Sequence, residues 1–205
     1  MRGSFALATV ASLLTLIAAP AHAVQAGPCD FPIQKRHPAH VSRGQLPPLA
    51  IGDSTMVWAV PLLAKNGFDV NARLCRPFSE GIEMMKERRK HHRLPSFVVL
   101  ALGASSPVSD DDVERALRVL GPHRVLGLPT HRFFRGQDGP DTDTIRRAAR
   151  RHPTRVKLID WVRYSMGHPG WFSYDGLHPN LVGGHQFAKL ITRSWRAVQR
   201  ELKLN

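Results

Sequence analysis

The chain has 205 residues, and its 29 Lys and Arg against 16 Asp and Glu give a formal net charge of +13. The length favours one domain, and no apolar run after the first 23 residues is long enough to span a bilayer. Such a basic chain would attract a polyanion.

The first 23 residues predict a secretory signal peptide. They contain Arg2, an apolar core and the small-x-small ending Ala21-His22-Ala23, after which cleavage is expected. A retained membrane anchor is the alternative, which the polar interruptions and Pro20 disfavour. We therefore expect a secreted or periplasmic protein of the cell envelope. Export argues against nucleic acid, so the expected polyanion is an anionic envelope polymer or membrane surface.

Residues 24–46 carry three prolines and no hydrophobic period, which predicts an extended N-terminal arm. The two cysteines of the chain are Cys29, in this arm, and Cys75. In an exported protein an even pair favours a disulfide, which would tie the arm to the domain. Two free thiols are the alternative.

From residue 47 to residue 205 the chain alternates between strand and helix patterns. Strands are predicted at 46–51, 68–74, 96–103, 123–130 and 154–161. Helices are predicted at 54–67, 78–93 and 109–121, around Ile145, and after Asn180, with Ser109 as the N-cap of the third. This order predicts a three-layer α/β/α domain with a five-stranded parallel sheet.

Three segments are expected to meet at the carboxyl edge of that sheet, where open parallel sheets bind ligands. Ser54 follows the first strand, residues 102–106 end the third, and residues 174–180 lie beyond the fifth. They supply a hydroxyl, accessible backbone donors, and the pair Asp175 and His178, which are the parts that acyl transfer through a serine needs. Taken singly, Ser54 could be a helix cap, Asp175 a turn residue and His178 a surface histidine.

These residues resemble the SGNH, or GDSL-type, hydrolases. The first motif of that family matches Gly52-Asp53-Ser54, its last motif matches Asp175-x-x-His178, and Gly81 fits its second. Residues 158–180 are most similar to the extracytoplasmic domains of peptidoglycan O-acetyltransferases. The resemblance implies Ser54 as nucleophile, His178 as general base and acid, and Asp175 as its orienting carboxylate.

The oxyanion hole is where the sequence departs from the family pattern. The resemblance implies donors from the backbone of Ser54 and Gly81 and from an asparagine, but Ser105 stands where the asparagine is expected. A serine hydroxyl can donate, but it is shorter and its proton is not fixed. Asp53 is expected to hold the turn through local hydrogen bonds. The loop at 131–141 could be a lid or a substrate-binding loop.

The resulting hypothesis is a secreted serine esterase or acyltransferase that acts on a short, acetyl-type ester of a small molecule or an envelope glycan. It would need no cofactor and no metal, since the spacing of His168 and His185 around His178 matches no metal motif. A separate membrane protein could supply the acyl group. The alternative is a catalytically weak or inactive protein of this fold that binds an envelope polyanion.

Overall fold

The computed structural model describes residues 29, 31–41 and 44–203, so the predicted signal peptide lies outside the described residues. Over that range the chain forms a six-stranded sheet in the order β1-β3-β2-β4-β5-β6. The strands are β1 (Gln34–Arg36), β2 (Leu49–Gly52), β3 (Asp69–Ala72), β4 (Phe97–Ala101), β5 (Val125–Pro129) and β6 (Val156–Ile159). The α-helices are α1 (Val60–Lys65), α2 (Phe78–Lys90), α3 (Asp110–Leu120), α4 (Thr142–Arg151), α5 (Trp161–Tyr164) and α6 (Leu181–Lys203).

The five predicted strands are present as β2 to β6, and they pair with one another in parallel. The N-terminal arm, however, is not extended chain alone, because β1 pairs antiparallel with β3 through Lys35 and Asn71. This sixth strand satisfies backbone groups that the edge of β3 would otherwise leave exposed. The arm lacks a hydrophobic period because β1 is exposed. A strand is predicted from alternating apolar residues, so this sequence gave no sign of one.

Helices cover both faces of the sheet, as predicted. On one face α2, α3 and α4 pack with Ile82, Val113 and Ile145 against the sheet. On the other face α1 and α6 do so with Leu63 and Phe187. The second, fourth and fifth strands are fully buried, which agrees with their continuous apolar sequences. Among the helices that the structure describes, none is both long and apolar enough to cross a membrane.

The helix predicted from residue 54 to residue 67 is two elements. A 3₁₀-helix, Ser54–Ala59, comes first, and α1 begins at Val60 with Pro61 in its first turn. Proline has no N–H and its ring would clash with the carbonyl four residues earlier, so a continuous α-helix through Pro61 is disfavoured. In contrast α3 is as predicted: the Ser109 hydroxyl accepts from the Asp112 N–H, and Gly121 ends the helix with a φ of 83°.

The predicted disulfide joins Cys29 to Cys75, with a Cα–Cα distance of 5.4 Å and a sequence separation of 46. We expect replacement of both cysteines by alanine to lower the free energy of unfolding by about 2–4 kcal/mol, because the bridge removes conformations from the unfolded chain. Urea unfolding with and without reductant measures this. The stability of the double variant should not change with reductant. Equal stability of the double variant and of the native protein without reductant would contradict the prediction.

Candidate active site

The candidate nucleophile lies at the carboxyl end of β2, between β3 and β4 in the middle of the sheet. Ser54 is the first residue of the 3₁₀-helix, and the N-cap of that helix is Asp53, whose Oδ1 accepts from the Thr55 N–H at 2.9 Å. The alternative reading of Ser54 as a helix cap is therefore wrong. Its hydroxyl is left for another partner, and Ser54 Oγ lies 2.9 Å from His178 Nε2.

A short hairpin presents the other two members of the candidate triad. Phe172 bridges Pro179, and the Ser173 N–H donates to the His178 carbonyl at 2.8 Å. Inside this hairpin His178 Nδ1 lies 2.6 Å from Asp175 Oδ2. Asp175 Oδ1 accepts the backbone N–H of His178 at 3.0 Å, which fixes the carboxylate against the turn.

Close helix packing holds the hairpin against the serine turn. The α6 helix begins directly after the hairpin, and its Gly184 faces the backbone of Trp58 in the 3₁₀-helix. A Cβ on Gly184 would lie 2.4 Å from Trp58 Cβ, so only glycine permits this approach. The contact brings together Ser54 and His178, which are 124 residues apart in sequence.

The electrostatics of the triad favour an ionised carboxylate. Burial would raise the pKa of Asp175, but hydrogen bonds from the His178 side chain and from the backbone N–H groups of His178 and Leu177 lower it overall. An ionised carboxylate only accepts hydrogen bonds, so the Nδ1 of His178 carries the proton. His178 Nε2 then faces Ser54 Oγ as an acceptor, which is the tautomer a general base needs.

Asp53 is fully buried and ties the serine turn to the end of β4. Besides the Thr55 N–H, Asp53 accepts the Thr55 hydroxyl at 2.7 Å and the backbone N–H groups of Gly103 and Ala104 at 3.2 and 3.1 Å. These contacts agree with the predicted structural role of Asp53. They also commit the two N–H groups at the end of β4, which are therefore not free to meet an oxyanion.

The structure places the three candidate oxyanion residues in different surroundings. Ser54 is at the triad, whereas Gly81 lies in the first turns of α2, where a Cβ would be 2.5 Å from Leu102 Cδ1. Close packing of α2 on the sheet thus accounts for this glycine. Ser105 is exposed on the loop after β4, beyond the N–H groups that bond Asp53. The oxyanion roles of Gly81 and Ser105 remain predictions.

Arg76 is a buried residue of the site that the sequence pattern did not reveal. It is 1% exposed, and its Nη1 donates to the Gly52 carbonyl at 3.1 Å and to the Asn71 carbonyl at 2.7 Å. Its Nε donates to Glu80 at 3.0 Å. Burial lowers the pKa of Arg76, which the hydrogen bond and charge of Glu80 partly offset. The guanidinium thus joins the residue before Asp53 to β3 and α2.

A second buried pair, His131 and Asp141, lies behind the β4 loop and was also missed. Their exposed fractions are 3% and 1%, and His131 Nδ1 is 3.6 Å from Asp141 Oδ2, an ion-pair distance too long for a hydrogen bond. Burial alone would lower the pKa of His131, but the negative charges of Asp141 and Asp53 raise it overall. The pKa of Asp141 is lowered, since the nearby His131 outweighs its burial. A Cβ on Gly103 would lie 2.5 Å from Asp141 Oδ2, so the loop rests directly on this pair.

The aromatic residues near the hairpin divide into core and surface. Trp161 is 3% exposed and packs on Trp171, Phe172 and Phe187 with ring centroids 5.9, 5.7 and 5.0 Å apart. Trp161 therefore supports the hairpin from the hydrophobic core. Tyr174, next to Asp175, is fully exposed.

Known proteins that are similar to this chain in sequence or in architecture point to one fold. No protein-family model matches the chain. Over 150 residues it is 28% identical to O-acetyltransferase OatA of Staphylococcus aureus, a match that covers 72% of this chain and 24% of that protein. The chain thus spans about a quarter of the length of the curated relatives it matches.

Two solved structures show the same architecture. The C-terminal catalytic domain of peptidoglycan O-acetyltransferase A of Streptococcus pneumoniae, solved with a methylsulfonyl adduct, superposes with a TM-score of 0.64 at 20% identity, covering 76% of this chain and 96% of that one. A carbohydrate esterase of family 3 from Talaromyces cellulolyticus gives 0.57 at 14% identity, covering 78% and 100%. The chain has the SGNH hydrolase fold. Its likeness to O-acetyltransferases and carbohydrate esterases confirms the resemblance seen in the sequence motifs.

Proposed function

We propose that this SGNH-fold protein is an exported serine esterase or acyltransferase that carries a short acyl group, of acetyl size, on Ser54. The observation that supports it best is the continuous hydrogen-bonded chain from Ser54 Oγ through His178 to Asp175. This chain lies at the carboxyl edge of the sheet, where a substrate can reach it.

The first half-reaction follows from this geometry. As Ser54 Oγ attacks the ester carbonyl, His178 Nε2 takes the hydroxyl proton, and the ionised Asp175 stabilises the imidazolium that forms. The carbonyl oxygen becomes an oxyanion, for which the backbone N–H of Ser54, that of Gly81 and the Ser105 hydroxyl are the proposed donors. His178 then returns its proton to the leaving alkoxide as the acyl-serine forms.

The second half-reaction reverses these roles. His178 Nε2 removes a proton from water or from a sugar hydroxyl, whose oxygen attacks the acyl carbon and releases Ser54. Water as the acceptor gives an esterase and a sugar gives a transferase.

The substrate class follows from the relatives and from the charge of the chain. The curated relative is an O-acetyltransferase by name, the similar solved structure is the catalytic domain of a peptidoglycan O-acetyltransferase, and the net charge of +13 suits an anionic envelope. We therefore propose an acetylated envelope glycan as substrate, a secreted or periplasmic location after cleavage near Ala23, and a separate membrane protein as acyl donor if the chain is a transferase.

Labelling with a fluorophosphonate tests the proposal, because this probe reacts with a serine whose hydroxyl is activated by a base. We expect a single adduct on Ser54, located by peptide mass spectrometry, and none in the His178→Ala variant. The Ser96→Ala variant, which changes an exposed serine before β4, is the matched control and should label normally. Absence of the Ser54 adduct in the folded native protein would overturn the proposed function.

The oxyanion donor can be examined separately through Ser105. Asparagine at this position would offer an amide N–H with a fixed proton, so we expect Ser105→Asn to raise kcat for p-nitrophenyl acetate by about 10- to 100-fold. The Ser106→Asn variant places the same side chain on the neighbouring exposed residue and should not raise it. An unchanged kcat in Ser105→Asn would remove Ser105 from the proposed oxyanion hole.

The exposed Ser105 also favours a second candidate function, a catalytically weak or inactive protein of the same fold that binds an anionic envelope polymer. The end of α2 supplies cations for such binding, because Arg89 and Lys90 are exposed there, whereas Arg88 is already paired with Asp69 at 2.7 Å. Salt-dependent retention on an anionic polymer without any fluorophosphonate adduct would favour this candidate.

A further inference from the structure

We propose that the loop at 131–141 is a fixed support of the active site, and that its buried pair, His131 and Asp141, are positioning residues for the segment that carries Ser105. This inference rests on the proposed function, because it concerns how the groups around Ser54 are held for the reaction. From the sequence this loop could be a lid or a substrate-binding loop. Its contacts instead join two separate parts of the site.

Hydrogen bonds close the loop on itself. The Gly139 N–H donates to the His131 carbonyl at 2.7 Å. The guanidinium of Arg132 donates across the loop to the Gly136 carbonyl at 2.9 Å, and outside it to the Val162 carbonyl of α5 at 2.7 Å. A lid that opens would have to break these bonds, so the loop is a fixed part of the domain.

The tip of the loop contacts the hairpin that carries two members of the triad. The Arg135 N–H donates to the Asp175 carbonyl at 2.8 Å. A Cβ on Gly176 would lie 2.4 Å from the Gly136 nitrogen, so the two turns are in direct backbone contact. The tip therefore restricts the positions that the hairpin, and with it the His178 ring, can take.

The base of the loop contacts both ends of the β4 loop, residues 103–108. At its start, a Cβ on Gly103 would lie 2.5 Å from Asp141 Oδ2. At its end, the Val108 N–H donates to the same carboxylate oxygen at 3.3 Å. Ser105 is exposed between these two ends. One buried carboxylate thus fixes both ends of the segment that presents Ser105.

His131 holds this carboxylate in place by charge. The imidazole is 3% exposed, and neither of its ring nitrogens has a hydrogen-bond partner among the residues that the structure describes. Its Nδ1 lies 3.6 Å from Asp141 Oδ2. The charge of Asp53, which accepts the N–H groups of Gly103 and Ala104, also acts on this imidazole. An imidazolium here is the counter-charge of both carboxylates that fix the β4 loop.

Replacing Asp141 by asparagine tests the positioning role. We expect kcat for p-nitrophenyl acetate to fall by about 10-fold and KM to change by less than about twofold, because a displaced oxyanion donor weakens transition-state binding and not substrate binding. Rates are expressed per Ser54 that a fluorophosphonate labels at saturation, so that unfolded protein is not counted. Ile191→Ala, which removes a buried side chain of α6, is the matched control. It lowers stability by packing alone and should leave kcat per labelled site unchanged.

A double-mutant cycle identifies the segment through which Asp141 acts. Ser105→Ala removes the proposed donor and should lower kcat by about 10-fold. Combined with Asp141→Asn, the total loss should stay near about 10-fold and not reach about 100-fold, because a donor that is already displaced contributes little. The combination of His131→Gln with Asp141→Asn serves where the single variant is too unstable to purify. It leaves no lone buried charge and should lower kcat to the same extent.

Several results would overturn the inference while leaving the proposed function intact. They are a native kcat per labelled site in both Asp141 variants, losses that multiply in the cycle, a native kcat in Ser105→Ala, and an equal loss in Ile191→Ala. Failure of the proposed function is distinguishable from these, because the native protein itself would then carry no adduct on Ser54.

Discussion

Replacing Ser54 by alanine is expected to lower kcat for p-nitrophenyl acetate by about 10³-fold or more. The variant removes the only hydroxyl that lies 2.9 Å from His178 Nε2 among the described residues. Without it no acyl-enzyme forms, and the residual rate reflects binding and the oxyanion donors alone. Steady-state kinetics, with rapid mixing to detect a burst of p-nitrophenol, measures both the rate and the loss of the covalent step.

Loss of activity must be separated from loss of structure. Ser54 does not provide the cap of its 3₁₀-helix, so we expect the thermal midpoint of Ser54→Ala to stay close to that of the native protein. Ser96→Ala changes an exposed serine at the opposite edge of the sheet and should retain full activity. A Ser54→Ala protein that keeps more than a tenth of the native kcat would refute the assignment of Ser54 as nucleophile.

Replacing Asp141 by asparagine is expected to lower the free energy of unfolding by about 3–5 kcal/mol, the usual cost of removing one partner from a buried ion pair. The change leaves the His131 imidazole, which is 3% exposed, without its counter-charge. Asp138→Asn is the matched control in the same loop, because Asp138 is 54% exposed and pairs with Arg132 at the surface. That change should cost about 1 kcal/mol or less. Urea unfolding at fixed pH measures both.

The pH dependence of this difference has a defined sign. The pKa of His131 is raised in the folded protein, so its contribution is complete below its unfolded pKa of about 6.5 and is lost as the pH rises through the folded pKa. The pKa of Asp141 is lowered, so its contribution is complete above about 3.9 and is lost as the pH falls through the folded pKa. The stability difference between the native protein and Asp141→Asn should therefore be greatest between about pH 4 and 6.5.

A double variant tests whether His131 and Asp141 are energetically coupled. If the two groups form a pair, His131→Gln combined with Asp141→Asn should cost less than the sum of the single changes, because neither charge is then left alone. Strictly additive costs, or a difference that does not change with pH, would show that Asp141 contributes by packing and not by charge.

Much of the architecture could be read from local sequence. The capped and periodic pattern from Ser109 to Gly121 predicted α3, and the continuous apolar runs predicted the buried central strands. These features depend on neighbours within a few residues, so the sequence determined them. The motifs at Ser54 and at Asp175-x-x-His178 were likewise recognisable as short patterns, and the order of elements predicted the edge of the sheet at which they would meet.

Only the tertiary structure decided which distant groups touch. The strand at Gln34–Arg36 has no period because it is exposed, and it forms only because β3 offers an unpaired edge. Arg76 and His131 look like ordinary members of a basic chain, but they become buried partners of the serine turn and of the β4 loop through contacts made across the sheet. Burial and charge pairing depend on packing between elements far apart in sequence. Local pattern therefore determined the elements and motifs of this protein, and long-range packing decided the positions of its buried charges.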